Sequence, residues 1–411
     1  MPSATPHNRP NCLDINTKLF SPLDPHEEEH STETQPLGDI EQRLGHLLSR
    51  HSAVSASLSF LQGKQQAAEE IGSNSSFIKI GAGACGAIFA EDGEALVTKL
   101  AKAHNKDLWN DYTMHTLIFE KAQAFNVEVQ IPRPYFFVPK DDQEYFEKHL
   151  NLCETARDTC HLPTDILVAE RIVPLPKITR MLLIEKYCVP HHRSDALADP
   201  ANRDCLVRVY LGSQKGKSRG RFFSLRNLKL HLNQLAELEL GVDALSHQMA
   251  EALATMQWAA ETDARDVEFA LGSSSQIIPI SPKSYAEIMK MEPASYTGPL
   301  SRHHEDFFRR TTQLWLLDFN QVRSVTLDQK GIDQMVDAFK VNDPYFPRPL
   351  QKDRLAKRIW NQFVRSYLKT SHFILMNRDK KIQDLPQKFL EGVIEVQRNK
   401  EELMLGREYV A

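Results

Sequence analysis

The sequence predicts an α+β protein built as two lobes, a small β-rich N-lobe followed by a larger, mainly helical C-lobe. Three observations predict it. Between residues 77 and 99, short apolar runs alternate with glycine and acidic turn residues, the pattern of successive antiparallel strands. From residue 224 onward, leucines recur at three- and four-residue steps, which places them on one face of a helix. Two apolar runs, at 269–271 and 313–317, interrupt that helical region, and each lies beside acidic residues.

The chain of 411 residues is long enough for one large bilobal unit. Hydrophobic residues at 41% and charged residues at 25% are ordinary for a globular protein. A net charge of −4 supplies no basic excess, so no nucleic acid is an expected partner. No apolar run reaches the ~18 residues of a membrane-spanning helix. The N-terminus, with Pro2, Pro6 and Pro10, lacks a signal-peptide core. No membrane partner is expected, and the expected location is cytoplasmic or nuclear. Six cysteines, at positions 12, 85, 153, 160, 188 and 205, are too sparse for a disulfide framework and are expected to be reduced. Cys153, Cys160 and His161 match no ligand spacing, so no zinc is expected.

Four regions follow along the chain. Residues 1–36, rich in Pro, Ser and Thr, read as a disordered N-terminal tail. In 37–72, Leu44, Leu47, Leu48, Val54, Leu58 and Leu61 imply an amphipathic helix over about 40–62 that packs on the core or binds a partner. Residues 73–170 form the N-lobe, and 171–411 the C-lobe with insertions at about 205–223 and 272–308. The first insertion, with the basic stretch 215–221 between apolar runs, reads as a β-hairpin. Its Gly212, Gly216, Lys217 and Ser218 approach a phosphate-binding loop, but three residues separate the glycines where four are needed, and no helix follows. Residues 224–258 read as one long helix.

Candidate chemistry begins at Gly81, Gly83 and Gly86, spaced G-x-G-x-x-G after an apolar strand. A dinucleotide-binding turn would continue into a helix, whereas here a strand, a turn and a third strand ending at Lys99 follow. That order is the glycine-rich flap and phosphate-binding lysine of a protein-kinase-like fold. Such a lysine needs an acid on the next helix, predicted over 107–125, where Asp111 is the first choice and Glu120 the second. The competing reading makes Lys99 a solvated strand end and Asp111 a favourable first-turn acid. The run 167–173 fits an adenine-binding hinge, with Glu170 at its break, and fits an ordinary buried strand nearly as well. Asp263 and Glu268 stand five residues apart, where a kinase loop carries its catalytic Asp and a metal-binding Asn. Asp318, in Leu316-Leu317-Asp318-Phe319-Asn320, takes the place of the Asp that holds Mg²⁺. Glu at 268 and the absence of a His-Arg pair before Asp263 depart from that pattern.

The words Leu108-Trp109-Asn110-Asp111-Tyr112, Ile131-Pro132-Arg133-Pro134, Ala169-Glu170-Arg171-Ile172, Asp266-Val267-Glu268-Phe269 and Val341-Asn342-Asp343-Pro344-Tyr345-Phe346 resemble a filamentous-fungal family of unknown function. Its members are often labelled zinc-finger-protein domain, and the resemblance spans about 77–375. More distantly, the order of motifs is similar to aminoglycoside phosphotransferases and choline kinases, which implies ATP and Mg²⁺ as cofactors. Three functions are thereby expected, in descending order. The first is a nucleotide-binding small-molecule phosphotransferase with Asp263 as base. The second is a pseudokinase that binds a protein partner, and the third a zinc-dependent transcription regulator.

Overall fold

The computed structural model describes residues 19–21, 39–49, 53–54, 77–83, 85–91, 94–102, 107–217, 223–273 and 310–408. The first elements are α1 (Asp39–Leu48), with Leu44 and Leu48 buried, and the short strand β1 (Ala53–Val54). The helix predicted over 40–62 therefore ends early. β1 pairs with a strand of a distant sheet, so Val54 belongs to a ladder rather than to a helical face, and 55–76 lie outside the described residues.

A wholly antiparallel sheet comes next. It contains β2 (Phe77–Ala82), β3 (Gly86–Glu91) and β4 (Leu96–Ala101). Helix α2 (Asp107–Ala124) then leads to β5 (Pro134–Val138), α3 (Gln143–Lys148), α4 (Leu150–Ala156) and β6 (Ile166–Glu170). The strand order is β2-β3-β4-β6-β5. Because side chains alternate across a strand, neighbours in sequence serve opposite faces. Phe89, Leu100, Ile166 and Val168 pack with Leu152 and Ala156 of α4, whereas Ala101 and Leu167 pack with Leu108 of α2. α2 is thereby held against the face from which Lys99 must reach the next sheet.

After α5 (Lys177–Tyr187) and α6 (Arg193–Ala198), a second sheet forms from β7 (Val207–Tyr210) and β8 (Lys229–His231). α7 (Leu232–Glu237) and α8 (Val242–Ala254) follow, and α8 continues into a π-helical turn, Thr255–Ala259. β9 (Glu268–Ser273) and β10 (Arg310–Leu317) complete the sheet, in the order β1-β10-β9-β7-β8. Four helices close the chain: α9 (Gln329–Val341), α10 (Arg354–Leu375), α11 (Lys380–Gln383) and α12 (Leu385–Glu408). The described residues are thus α+β, with two five-stranded sheets and a large helical core centred on α8 and α10.

Several expectations are corrected here. β7 and β8 pair in parallel, so 206–225 is not a hairpin. The amides of Leu211 and Gly212 bond to the carbonyls of Tyr345 and Pro344, which turns the chain away from β7. That use of Gly212, and the bonding of Gly216 to Asn233, also leaves no free phosphate cradle at those two glycines. The helix read over 224–258 is split, first by β8 and then by Glu239, whose φ of 51° ends α7. Within the stretch read as a disordered tail, Leu19 and Ser21 are buried against α10. The insertion read at 272–308 starts after β9, and 274–309 lie outside the described residues.

The join between α8 and α10 carries a buried polar chain. Trp258 Nε1 donates to Tyr367 Oη at 3.0 Å, and Tyr367 Oη donates to Gln257 Oε1. Burial of all three groups makes the hydroxyl essential, because losing it orphans a donor and an acceptor together. Tyr367→Phe should therefore lower unfolding stability by about 1–3 kcal/mol, read from the urea midpoint at unchanged slope.

Candidate functional site

Lys99 lies on β4 opposite Ile88 of β3 and Leu167 of β6, at the middle of the first sheet. Its Nζ donates to Asp111 Oδ2 at 2.6 Å and to Asp318 Oδ1 at 3.3 Å. One ammonium thus joins β4, helix α2 and the residue that follows β10. Lys99 is 14% and Asp318 34% exposed at the side chain, so the outer edge of the trio is open. Burial pulls the Lys99 pKa down, but the charges of Asp111 and Asp318 outweigh it and the net shift is upward. Among the two helix acids considered from sequence, Asp111 makes the contact.

Helix α2 also holds the segment after β10. Asp111 Oδ1 accepts from the Phe319 amide at 3.1 Å, and Asn110 Nδ2 donates to the carbonyls of Asn320 and Val322 at 2.9 Å each. Phe319 is buried against the His115 ring, with centroids 4.8 Å apart. His115 Nε2 donates to the Pro132 carbonyl at 2.6 Å. Burial lowers the His115 pKa, against the opposing pull of Asp111, so the ring is neutral at physiological pH. Asp318 itself adopts φ 66°, a left-handed conformation that a β-carbon disfavours and that surrounding bonds must impose.

The loop before β9 repeats that conformation at Glu261, Ala264 and Asp266, with φ of 51°, 55° and 59°. Asp263 is buried, and its carboxylate is saturated. Oδ1 accepts from the amides of Arg265 and Arg323, and Oδ2 from Arg323 Nε at 2.7 Å and Gln334 Nε2 at 3.0 Å. Four donors leave no lone pair for a substrate hydroxyl. Glu268 is likewise engaged, its Oε2 taking both Nε and Nη2 of Arg208 at 2.9 and 2.7 Å. Asp266 was not legible as a candidate in the sequence. Burial first and the Asp318 charge second hold its carboxyl above the ordinary value, while Arg265 and Gln321 pull the other way. Its amide donates to Asn342 Oδ1, and Asn342 Nδ2 donates to the Ala264 carbonyl, so a residue of the later Asn342-Asp343-Pro344 word shapes this loop.

Of the three glycines, Gly86 lies against Lys99. A β-carbon on Gly86 would lie 2.9 Å from the Leu100 carbonyl oxygen and 3.1 Å from Lys99 Cγ, so only glycine lets the lysine pass. Gly83 has open space around it, and Gly81 makes only ordinary contact with Ile88. Cys85 lies within 4.8 Å of carboxylate oxygens of Asp111 and Asp318, a group of metal-ligand types. Lys99 pairs with both acids of that group, and burial raises the Cys85 thiol pKa. Cys153 and Cys160 point their thiols at backbone carbonyls instead. At the break after β6, the Glu170 amide donates to the Arg133 carbonyl at 2.8 Å, and its Oε2 accepts from the Arg133 amide. The structure brings together Gly86, Lys99, Asp111 and Asp318, and gives Glu170, Asp263 and Glu268 partners of their own.

Residues 314–379 match the DUF3669 family model, described as zinc finger protein. The matched stretch contains Asp318, Phe319 and Asn320, helix α9 and all of α10. It supports the family resemblance read from the sequence over those residues and carries no assigned chemistry. No curated protein and no solved structure matches the chain.

Gly86→Ala should destabilise the protein by about 1–3 kcal/mol through overpacking, whereas Gly83→Ala should change it by less than about 0.5 kcal/mol, both read by chemical denaturation. For Asp266, a raised folded-state pKa favours the protonated form in the native protein. Its contribution is therefore favourable below the ordinary carboxyl value and is lost as pH rises through the folded one. Asp266→Asn should raise the thermal midpoint at pH 7, and the advantage should disappear as pH falls below about 4.

Proposed function

We propose that this chain is a two-lobed, kinase-like nucleotide-binding protein in which Lys99 engages phosphates and Asp318 engages Mg²⁺. The observation that carries the reading is the Lys99 ammonium, paired with Asp111 of α2 and 3.3 Å from Asp318. A phosphate-binding lysine requires that helix acid to hold it, and the Asp at the strand end completes the pattern. The strand-loop-strand entry through Gly81, Gly83 and Gly86 supports it further, with Gly86 sterically tied to Lys99.

Mg²⁺ takes hard oxygen ligands, commonly one or two carboxylates together with substrate phosphates. Asp318, a third exposed, fits that demand, and Asp266 is the neighbouring acid whose charge couples to it. Glu268 fits poorly, because Arg208 already neutralises it. When bound, the cation would offset phosphate charge beside Asp318. Lys99 would then exchange its weaker contact with Asp318 for phosphate oxygens and keep Asp111.

The saturated Asp263 favours binding without efficient transfer, as in a pseudokinase that acts through a partner. A phosphotransferase reading would need a general base other than Asp263, and Asp266, partly exposed in the same loop with Oδ2 bonded to Gln321, is the acid it would have to use.

The test is the thermal midpoint with ATP and Mg²⁺. A ligand at a hundred times its Kd should stabilise the folded protein by about 2.7 kcal/mol. Wild type should shift upward, Lys99→Met and Asp318→Asn should not, and Asp263→Asn should lower the starting midpoint while keeping the shift. An unchanged wild-type midpoint would sink the proposal.

A further inference from the structure

Leu19, Phe20 and Ser21 sit on helix α10, 340 residues away in sequence from the side chain that grips them. The grip is directed at backbone. Asn361 Oδ1 accepts from the Ser21 amide and Asn361 Nδ2 donates to the Ser21 carbonyl, both at 2.8 Å, while Trp360 Nε1 donates to the Leu19 carbonyl at 2.9 Å. Leu19 is buried in the large core and Phe20 packs partly against it. Ser21 is 5% exposed, yet its Oγ is buried with no hydrogen-bond partner. A hydroxyl left unsatisfied costs stability where an alanine would not, so docking alone gives no reason for serine here. The next residue is Pro22, and Ser-Pro is the dipeptide that a proline-directed kinase requires.

We propose that Ser21 is a phosphorylation site for a proline-directed Ser/Thr kinase, and that its docked and phosphorylated states exclude one another. In the docked state the kinase cannot reach Oγ, because the amide and carbonyl of Ser21 are both held by Asn361. Modification therefore acts on the released segment. The γ-phosphoryl group of ATP forms a bond to Ser21 Oγ as its bond to the β–γ bridging oxygen breaks. ADP leaves, and the hydroxyl proton passes to the base of the modifying kinase. A phosphate of nearly two negative charges then has no place in a pocket whose polar partners are one amide side chain and one indole. Redocking is blocked, and the equilibrium shifts to the released state by mass action. The consequence reaches α10, whose Tyr367 holds Trp258 and Gln257 in the turn that leads into the Asp263 loop.

The experiment incubates the full chain with ATP and a proline-directed kinase and follows phosphate at Ser21 by mass spectrometry. Asn361→Ala removes two hydrogen bonds from the helix side, and Leu19→Asp releases the segment while leaving α10 unaltered. Either should raise the phosphorylation rate roughly tenfold over wild type. Hydrogen exchange across α10 should be faster in the phosphorylated chain, and Ser21→Ala should retain wild-type exchange. Equal rates in wild type and both released variants would overturn the proposal. So would unmodified Ser21 in the released variants, or unaltered exchange of α10 after stoichiometric modification.

Discussion

An ammonium group that is mostly withdrawn from water needs opposite charge within contact distance, and Lys99 obtains it from two acids that belong to different parts of the chain. Desolvating a charge of that size costs on the order of several kcal/mol, which the Asp111 contact at 2.6 Å offsets only if its geometry is maintained. Much of the surrounding structure maintains it. Gly86 leaves room for the lysine stem, and Leu108 and Ala101 seat the start of α2 on the sheet. Asp111 uses its second oxygen on the Phe319 amide, so the same carboxylate fixes both the lysine and the segment that carries Asp318.

A second constraint is the backbone around Asp318. Left-handed residues with side chains cost roughly 1–3 kcal/mol each, and Asp318, Ala264 and Asp266 share this conformation in two adjoining segments. The bonds that hold them are traceable to Asn110, Asp263, Arg323 and Asn342. Asp263 thus works as an internal strut between its own loop and residue 323. A carboxylate used in that way stabilises the site and is withdrawn from proton transfer.

The elements of the first sheet were legible because the strands are short and apolar, although β4 runs two residues past Lys99, where the sequence reading ended it. α2 was legible as the helix that follows the Lys99 strand, predicted over 107–125 and observed over Asp107–Ala124. Parallel pairing of β7 with β8 was not, since two apolar runs joined by a basic stretch look the same whether they return as a hairpin or cross over. Val54 was misread because an apolar residue at helical spacing carries no mark of its ladder partner Arg310. Leu19 and Ser21 were missed for a related reason. Three residues have no period, and their burial depends on Trp360 and Asn361.

The sequence by itself determined which residues could carry charge and chemistry, and the order in which they arise: a glycine loop, Lys99, Asp111, Asp263, Glu268 and Asp318. It also determined an α+β chain, through apolar periods of two and of about 3.6 residues. Tertiary structure decided which of those residues remain available. Lys99, Asp111 and Asp318 converge because strand register and α2 packing bring them within hydrogen-bond reach. Asp263 and Glu268 are consumed by Arg323, Gln334 and Arg208. The residue spacing of a motif specifies where a carboxylate is, but its lone pairs are assigned only when distant donors arrive around it.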